Sequence, residues 1–318
     1  MALMATSDPS SLQSRGRPAG GALRYRPLRN LRERAIELVL LLAALSSVLT
    51  TAGIVAVLLF ESFQFFAQVP LGQFLTDTQW TPLFANPRYG ILPLVAGTLV
   101  TTVVALVVAI PLGTIAAIYL SEYAPAQLRE VAKPVLELLS AVPTVVYGYF
   151  ALLFVTPLLQ KIYPDLPGFN MLSAGLVIGI MIIPYVSSLS EDAMRSVPMA
   201  IREGSYAMGA TRMQTALRVV VPSAFSGIAS AYVLGFSRAI GETMIVAIAA
   251  GTQPNLTLNP TEPAATITAY IVQVSLGDLP HGTLAYQTIF AAGLMLLAMT
   301  LTFNIAGHLL RKRFREVY

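Results

Sequence analysis

Cysteine is absent from the 318-residue chain, and histidine occurs only twice. The lack of cysteine excludes a disulfide framework, a thiol nucleophile and a thiolate metal site. The two histidines, His281 and His308, stand far apart in the sequence without neighbours at metal-ligand spacing, which argues against a zinc site built by the protein. The GxxxxGK[ST] pattern is missing as well, so the chain has no P-loop of its own for ATP.

Charge is also scarce. Charged residues make up 11% of the chain and hydrophobic residues 55%, whereas a soluble domain carries about 25% charged residues. This composition supplies neither the polar surface of a soluble fold nor the polarity of a disordered chain. The remaining class is an integral membrane protein.

Six apolar stretches are long enough to cross a hydrocarbon core about 30 Å thick, which needs about 20 helical residues. They are Ala35–Phe60, Ile91–Leu120, Val135–Gln160, Met171–Ser190, Ala224–Gly251 and Leu284–Leu310. The sequence therefore predicts an all-α integral membrane protein with six transmembrane helices. We expect the first span to be retained, because it is longer than the apolar region of a cleaved signal peptide.

The basic residues predict the orientation of these spans. Seventeen of the twenty Lys and Arg residues lie before the first span, in alternate loops or after the last span, and such residues mark the cytoplasmic side. Both termini are thus predicted to be cytoplasmic. The expected organisation is a basic tail (1–34), a first helix (35–61), an extracytoplasmic loop (62–90), a five-helix core (91–310) with a cytoplasmic loop at 191–222, and a basic tail (311–318).

Two outer segments have simpler interpretations. Trp80, with Phe63, Phe65 and Phe66 near the membrane, is typical of an aromatic belt at the membrane–water interface. Ala264–Leu276 is apolar but too short to span comfortably, so we expect an interfacial or re-entrant segment.

The cytoplasmic loop 191–222 has the local signals of two short helices. Pro198 is suited to a helix start, Gly209 permits a sharp reversal, and Thr211 is suited to cap a second helix over Arg212–Val219. Such a pair fits a groove on another protein. A plain amphipathic surface helix is the alternative on physical grounds alone.

This loop resembles the EAA loop of ABC-type importer permeases. The family reads Glu-Ala-Ala, three residues, Gly, nine residues, Ile, one residue, Leu-Pro. The residues that correspond here, which the resemblance implies contact the ATPase, are Glu203, Gly204, Ser205, Gly209, Val219 and Pro222. Gly204 and Ser205 replace the two alanines, and Gly204 weakens a helix by about 1 kcal/mol relative to alanine.

Three further motifs resemble the phosphate importer permeases PstC and PstA. They are Tyr119–Pro125 (YLSEYAP), Ala141–Gly148 (AVPTVVYG) and Arg238–Thr243 (RAIGET), and Gly90–Thr98 is closer to the PstC type. The resemblance runs from about Glu61 to the C-terminus. It implies the type I ABC importer permease (MetI-like) fold and phosphate import across the cytoplasmic (inner) membrane of a prokaryote. A PstA-type subunit, or a permease for sulfate or molybdate, is the alternative.

The resemblance also implies the assembly. The expected partners are a second, PstA-like permease, a PstB-like cytosolic ATPase dimer, a PstS-like extracytoplasmic phosphate-binding protein and the lipid bilayer, without nucleic acid. No cofactor is expected on this chain, and ATP and Mg are expected on the ATPase. The chain itself is expected not to be an enzyme.

The candidate substrate path contains two charges inside the fifth predicted span. Arg238 and Glu242 are four residues apart, so on one helix they would share a face and pair. Arg238 is suited to an oxyanion, because guanidinium is always charged and binds two oxygens at once. The alternative is a structural ion pair that locks a gate or a partner subunit.

Weaker candidates lie in the third and fourth predicted spans. Thr144 and Tyr147 follow Pro143 and are expected to line a path, or else to satisfy their hydroxyls locally at a helix kink. Gly175 and Gly179 form a GxxxG pattern that favours close helix packing.

Three other classes of protein fit less well. An intramembrane enzyme lacks a catalytic constellation here, with no HExxH and no lysine within a span. A secondary transporter would not need the EAA-like loop, and no inverted repeat is evident. A signalling scaffold that senses phosphate through its partners is distinguished by measuring uptake.

Overall fold

The computed structural model describes residues 27–313; the predicted tail residues 1–26 and 314–318 lie outside this range. In chain order the helices are α1 Pro27–Gln68, α2 Leu71–Thr76, α3 Leu92–Ile118, α4 Ala126–Ala141, α5 Thr144–Phe150, α6 Thr156–Gln160, α7 Met171–Arg195, α8 Met199–Ala207, α9 Arg212–Thr215, α10 Val221–Ser223, α11 Phe225–Ile240, α12 Met244–Ala249, α13 Ile267–Ser275 and α14 Leu284–Arg313. Three π-helical turns, Tyr119–Tyr123, Ala151–Val155 and Ala216–Val220, extend α3, α5 and α9. Within the described range the only β-structure is an isolated bridge between Trp80 and Tyr89.

Four helical stretches are each long and apolar enough to span a membrane. They are Glu33–Gln68, Leu92–Tyr123, Met171–Arg195 and Leu284–Leu309. Two bent helix pairs meet the same criterion as pairs: Ala126–Ala141 with Thr144–Gln160, and Arg212–Ser223 with Phe225–Ile240. With each bent pair counted as one span, the structure has up to six candidate spans, as predicted for an all-α, multi-pass membrane protein. The fifth candidate, Arg212–Ser223 with Phe225–Ile240, begins and ends earlier than the predicted Ala224–Gly251.

The third and fifth predicted spans are not continuous helices. In the third, α4 and the following helix are bent by 85°, because Pro143 has no N–H to give and holds Val142 in an extended conformation. The fifth, Ala224–Gly251, is broken between α11 and α12, at residues 241–243. The fifth span therefore presents a break, rather than a helix face, near its middle.

The chain divides after Val55 into two compact units. In the first unit, the described side chains of residues 33–54 are exposed, although most of them are apolar. Apolar side chains exposed along the length of a helix are suited to contact with lipid tails.

The second unit is built around α3 and α7, which pack closely. A Cβ added at Gly175 would lie 2.7 Å from the Val104 side chain, and one added at Gly179 would lie 2.8 Å from the Ala105 carbonyl oxygen. Real side chains do not approach this closely, so both positions require glycine for the two helices to touch. The GxxxG prediction of close packing is confirmed.

The outer segment of this unit has an aromatic core. Trp80 and Phe65 are almost fully buried, and the Trp80 ring packs edge-on against Tyr270 of α13, with centroids 5.1 Å apart. The interfacial-belt interpretation of Trp80 and Phe65 is therefore wrong, whereas Phe63 is exposed as a belt residue would be. Burial of these rings against α13 stabilises a folded outer cap, which a linear pattern of aromatics does not reveal.

Candidate functional site

The loop 191–222, which the sequence predicts to be cytoplasmic, forms the predicted pair of short helices. Helix α8 ends at Ala207, and the chain reverses at Gly209, whose φ of 82° lies in the left-handed region that glycine favours. Thr211 caps α9: its hydroxyl accepts from the Gln214 N–H, and the Gln214 side chain accepts from the Thr211 N–H. This capping box satisfies two backbone donors that a short helix would otherwise leave free.

The helix pair exposes the motif residues and a set of apolar side chains. Glu203, Gly204 and Gly209 are exposed, as is Pro222, whereas Ser205 and Val219 are half-buried. The exposed apolar side chains of the helix pair and the turn after it are Met199, Tyr206, Met208, Met213 and Leu217. Met208 is 89% exposed. Exposed methionines and a tyrosine beside a carboxylate are suited to docking against another protein.

The two short helices are held together by hydroxyl groups. The Ser205 and Thr215 hydroxyls lie 2.9 Å apart, with Thr215 fully buried. Ser205 occupies the place of an alanine in the resembled motif, so here it adds a hydrogen bond that alanine would not make. This bond stiffens the turn at the cost of one desolvated hydroxyl pair, which is satisfied.

A buried ion pair anchors the helix pair to the body of the protein. Arg202 of α8 donates from Nη2 to Glu122 Oε1 at 3.0 Å, and Glu122 lies in the π-helical turn that ends α3. Arg202 also donates to the Met194 and Val197 carbonyl oxygens. Neither residue of this pair was among the sequence candidates. The sequence feature that could have indicated this pair is Glu122, a carboxylate at the end of an apolar run, within the YLSEYAP motif.

A second buried carboxylate lies near the C-terminal end of α7. Glu191 is fully buried, and its oxygens lie 3.1 Å from Lys133 Nζ and 3.5 Å from both Arg129 Nε and Arg195 Nη1. Lys133 also contacts Asp192 at 2.6 Å. These contacts bind α4 to the end of α7. They also bring together basic residues from two loops that the positive-inside rule assigns to the same side.

Arg238 and Glu242 do not pair as predicted, because α11 ends between them. Glu242 is buried, and its Oε1 accepts from the backbone N–H groups of Met244 and Ile245 at 3.1 and 3.4 Å. Arg238 is exposed, and its guanidinium lies over the Tyr185 ring, 5.8 Å from the centroid. Within the described part of the chain Arg238 makes no ion pair. An exposed guanidinium with free donors remains on the face of α11, as anion contact requires.

The weaker path candidates are placed differently from each other. The Tyr147 hydroxyl donates to the Leu139 carbonyl oxygen at 2.6 Å and so closes the bend between α4 and α5. The Tyr147 hydroxyl is therefore satisfied locally at a helix kink, which is the alternative to lining a path. Thr144 begins α5 beside that bend and is half-buried. Gly148 packs against Ile248, where an added Cβ would lie 2.8 Å from its Cδ1 atom.

The chain is similar to known membrane transport proteins. Residues 109–316 match the family of inner-membrane components of binding-protein-dependent transport systems. The chain is 38% identical over 241 residues to the probable ABC transporter permease protein YqgH of Bacillus subtilis, covering 76% of this chain and 78% of that protein. It is 34% identical over 272 residues to the phosphate transport system permease protein PstC 1 of Mycobacterium tuberculosis, covering 74% and 80%.

Solved ABC transporters share the fold. A chain of the bacterial alginate ABC transporter in complex with an alginate pentasaccharide-bound periplasmic protein superposes with a TM-score of 0.64 at 18% identity, covering 91% of this chain and 99% of that one. A chain of the MetNI methionine ABC transporter in an inward-facing conformation gives 0.53 at 18% identity, covering 71% and 95%. The all-α architecture is therefore that of MetI-like importer permeases.

Proposed function

The chain belongs to the family of inner-membrane components of binding-protein-dependent transport systems, and on that premise we propose that it is a permease subunit of an ATP-driven importer of inorganic phosphate. The support for phosphate is the similarity to permeases named for phosphate transport, together with the three sequence motifs. The membrane is the cytoplasmic (inner) membrane of a prokaryote, with both termini in the cytoplasm. The relatives are transport permeases, so ATP hydrolysis, with its Mg, is assigned to a partner.

The observation that carries the coupling role is the anchored helix pair. Glu203 is exposed on α8, while Arg202, the preceding residue, is buried against Glu122 at the end of α3. A partner that pushes on the exposed side of α8 therefore acts through a short, buried guanidinium–carboxylate contact on a membrane-spanning helix. Motion of the ATPase would in this way tilt α3 and alternate access to the path. The partner is a PstB-like ATPase dimer.

Arg238 is the residue proposed to meet the anion. Its exposure and the absence of an ion pair to Glu242 leave guanidinium donors available for two phosphate oxygens. Glu242 stabilises the start of α12 through its backbone contacts, and thereby holds the break after α11 beside Arg238. The PstA-like permease completes the pore, and a PstS-like binding protein delivers phosphate from outside.

Purification of the complete complex with its binding protein tests the substrate assignment. The anion retained by the binding protein is identified by mass spectrometry after denaturation. Phosphate is the expected anion. Recovery of sulfate or molybdate instead would contradict the phosphate assignment and leave the permease family unaffected.

A further inference from the structure

A cleft of about 340 Å³ opens between the helix pair and the cytoplasmic ends of the spanning helices. Four arginines line it, each from a different segment: Arg129 of α4, Arg195 at the end of α7, Arg202 of α8 and Arg212 of α9. Among the described residues that line it, the only acidic one is Glu122. Four guanidinium groups facing one small space repel each other unless negative charge is present.

Two of these arginines are occupied and form the wall of the cleft. Arg202 is held by Glu122 and by two backbone carbonyl oxygens. Arg129 donates from Nε to the Leu120 carbonyl oxygen at 2.8 Å, with longer contacts to the carbonyl oxygens at the end of the π-helical turn. Their positions are fixed, and they supply positive potential rather than free donors.

The other two arginines have donors to spare. Arg195 is half-exposed, and its contact to Glu191 is a long one at 3.5 Å to a carboxylate shared with Arg129 and Lys133. The Arg212 guanidinium lies 5.1 Å from the centroid of the Tyr123 ring and has no carboxylate partner in the described range. A guanidinium carries five N–H donors, so most of those on Arg195 and Arg212 are unused.

We propose that this cleft is a cytosolic binding site for a small multivalent oxyanion, inorganic phosphate. Guanidinium groups match the oxygen geometry of phosphate, and the surrounding arginines compensate its charge. The choice of phosphate rests on the proposed function, since the imported anion is released on this side of the membrane.

The position of the site gives it a regulatory consequence. Arg195 belongs to the end of α7, whereas Arg212 begins the second helix of the pair. A phosphate held by both would tie the helix pair to the end of a spanning helix and oppose its movement. Accumulated cytosolic phosphate would therefore slow ATP turnover by the importer.

The test uses proteoliposomes that contain the complete complex, with ATP added outside and the loaded binding protein sealed inside. External ATP reaches only complexes whose cytosolic face points outward, so external phosphate titrates that face alone. The ATPase rate is measured against phosphate, with chloride at matched ionic strength, for wild type, Arg195→Gln/Arg212→Gln and a control, Arg218→Gln. Arg218 is an exposed arginine of the same loop that does not line the cleft.

We expect phosphate to inhibit wild type and Arg218→Gln equally. The half-inhibitory concentration should rise roughly tenfold or more in the double variant, because charge-assisted hydrogen bonds are lost. Inhibition of the ATPase subunit by its own product, phosphate, is the same in wild type and both variants, because that subunit is unchanged. If the double variant does not assemble, Arg195→Lys/Arg212→Lys keeps the charge, and its half-inhibitory concentration should lie above that of wild type because the bidentate geometry is lost.

An assembled double variant, with glutamine or lysine at both Arg195 and Arg212, whose half-inhibitory concentration equals that of wild type would overturn the inference. So would a wild type that is insensitive to cytosolic phosphate. Transport is measured separately on the same vesicles as ATP-dependent release of labelled phosphate from the lumen, because the cytosolic face of the active complexes points outward. A complex that transports phosphate but whose ATPase rate does not respond to phosphate as described contradicts the regulatory site only. A complex that does not transport phosphate contradicts the proposed function.

Discussion

Arg202 and Glu122 form a buried ion pair, Nη2 to Oε1 at 3.0 Å, that joins α8, the first short helix of the loop 191–222, to the end of α3. The two residues are 80 positions apart in the chain. Because both residues are buried, the ion pair helps to set where the helix pair sits, and it can pass a force on α8 to the end of α3. The coupling account therefore depends on this contact as much as on the exposed motif.

Glu122→Gln should loosen the helix pair. The substitution leaves the Arg202 guanidinium buried with only carbonyl partners and no opposite charge. Breaking a buried ion pair by removing one partner costs about 3–5 kcal/mol. We expect faster proteolysis of the loop, a lower melting temperature and loss of ATP-driven uptake. Glu130→Gln, at an exposed position on α4, should behave as wild type; equal behaviour of the two variants would remove the anchoring role.

Two glycines of the loop should respond to alanine in opposite directions. Gly209 has a φ of 82°, where an L-residue costs about 1–2 kcal/mol, so Gly209→Ala should destabilise the loop. Gly204 lies inside α8 with open space around a would-be Cβ, so Gly204→Ala should stabilise that helix by about 1 kcal/mol. Thermal unfolding of the purified complex measures both. A stabilised Gly209→Ala would show that the reversal is not the one described.

Glu203→Lys should abolish uptake while the complex still assembles. Glu203 is exposed and is proposed to meet the ATPase, so reversing its charge should disrupt that contact without disturbing the packing of α8. Assembly is followed by co-purification of the subunits, and coupling by uptake per ATP hydrolysed. Glu130→Lys applies the same charge reversal outside the helix pair and should retain uptake. Full ATP-dependent uptake by Glu203→Lys would contradict the coupling assignment.

Arg238→Gln should reduce phosphate uptake strongly with normal membrane assembly. The substitution removes the exposed guanidinium, and Arg238→Lys should recover only part of the activity because lysine lacks the bidentate geometry. Arg88→Gln, at an exposed arginine of the outer segment, controls for loss of a positive charge. Normal uptake by an assembled Arg238→Gln complex would remove Arg238 from the path.

Glu242 has a capping geometry that predicts a different pattern. Its carboxylate accepts from two backbone N–H groups at the start of α12. Glu242→Gln retains an oxygen acceptor and should assemble normally, whereas Glu242→Ala loses it and should destabilise the complex by about 1 kcal/mol. The melting temperatures of the two variants distinguish capping from a purely electrostatic role. An equal decrease in melting temperature in both variants would favour a purely electrostatic role for the Glu242 carboxylate.

Local signals in the sequence predicted the helix pair well. Gly209 and Thr211 act through their own backbone and immediate neighbours, so no knowledge of the rest of the fold is needed. The GxxxG packing was predictable for the same reason, since only small residues permit close approach. Span number followed from length and composition alone.

Long-range contacts were not predictable in this way. Arg202 finds Glu122 only after α3 and the loop have folded together, and Trp80 becomes buried only because α13 packs against it. The expected pair of Arg238 and Glu242 assumed one continuous helix, and the chain breaks at Gly241 instead. Spacing rules fail where the element that defines the spacing ends.

ATP-dependent uptake of labelled phosphate is the measurement that tests the central claim most directly. The complete complex is reconstituted into proteoliposomes with ATP sealed inside and the phosphate-loaded binding protein outside. We predict phosphate accumulation that requires ATP and the binding protein, and that is lost in Glu203→Lys. Accumulation that is independent of ATP, or uptake of sulfate in place of phosphate, would contradict the account.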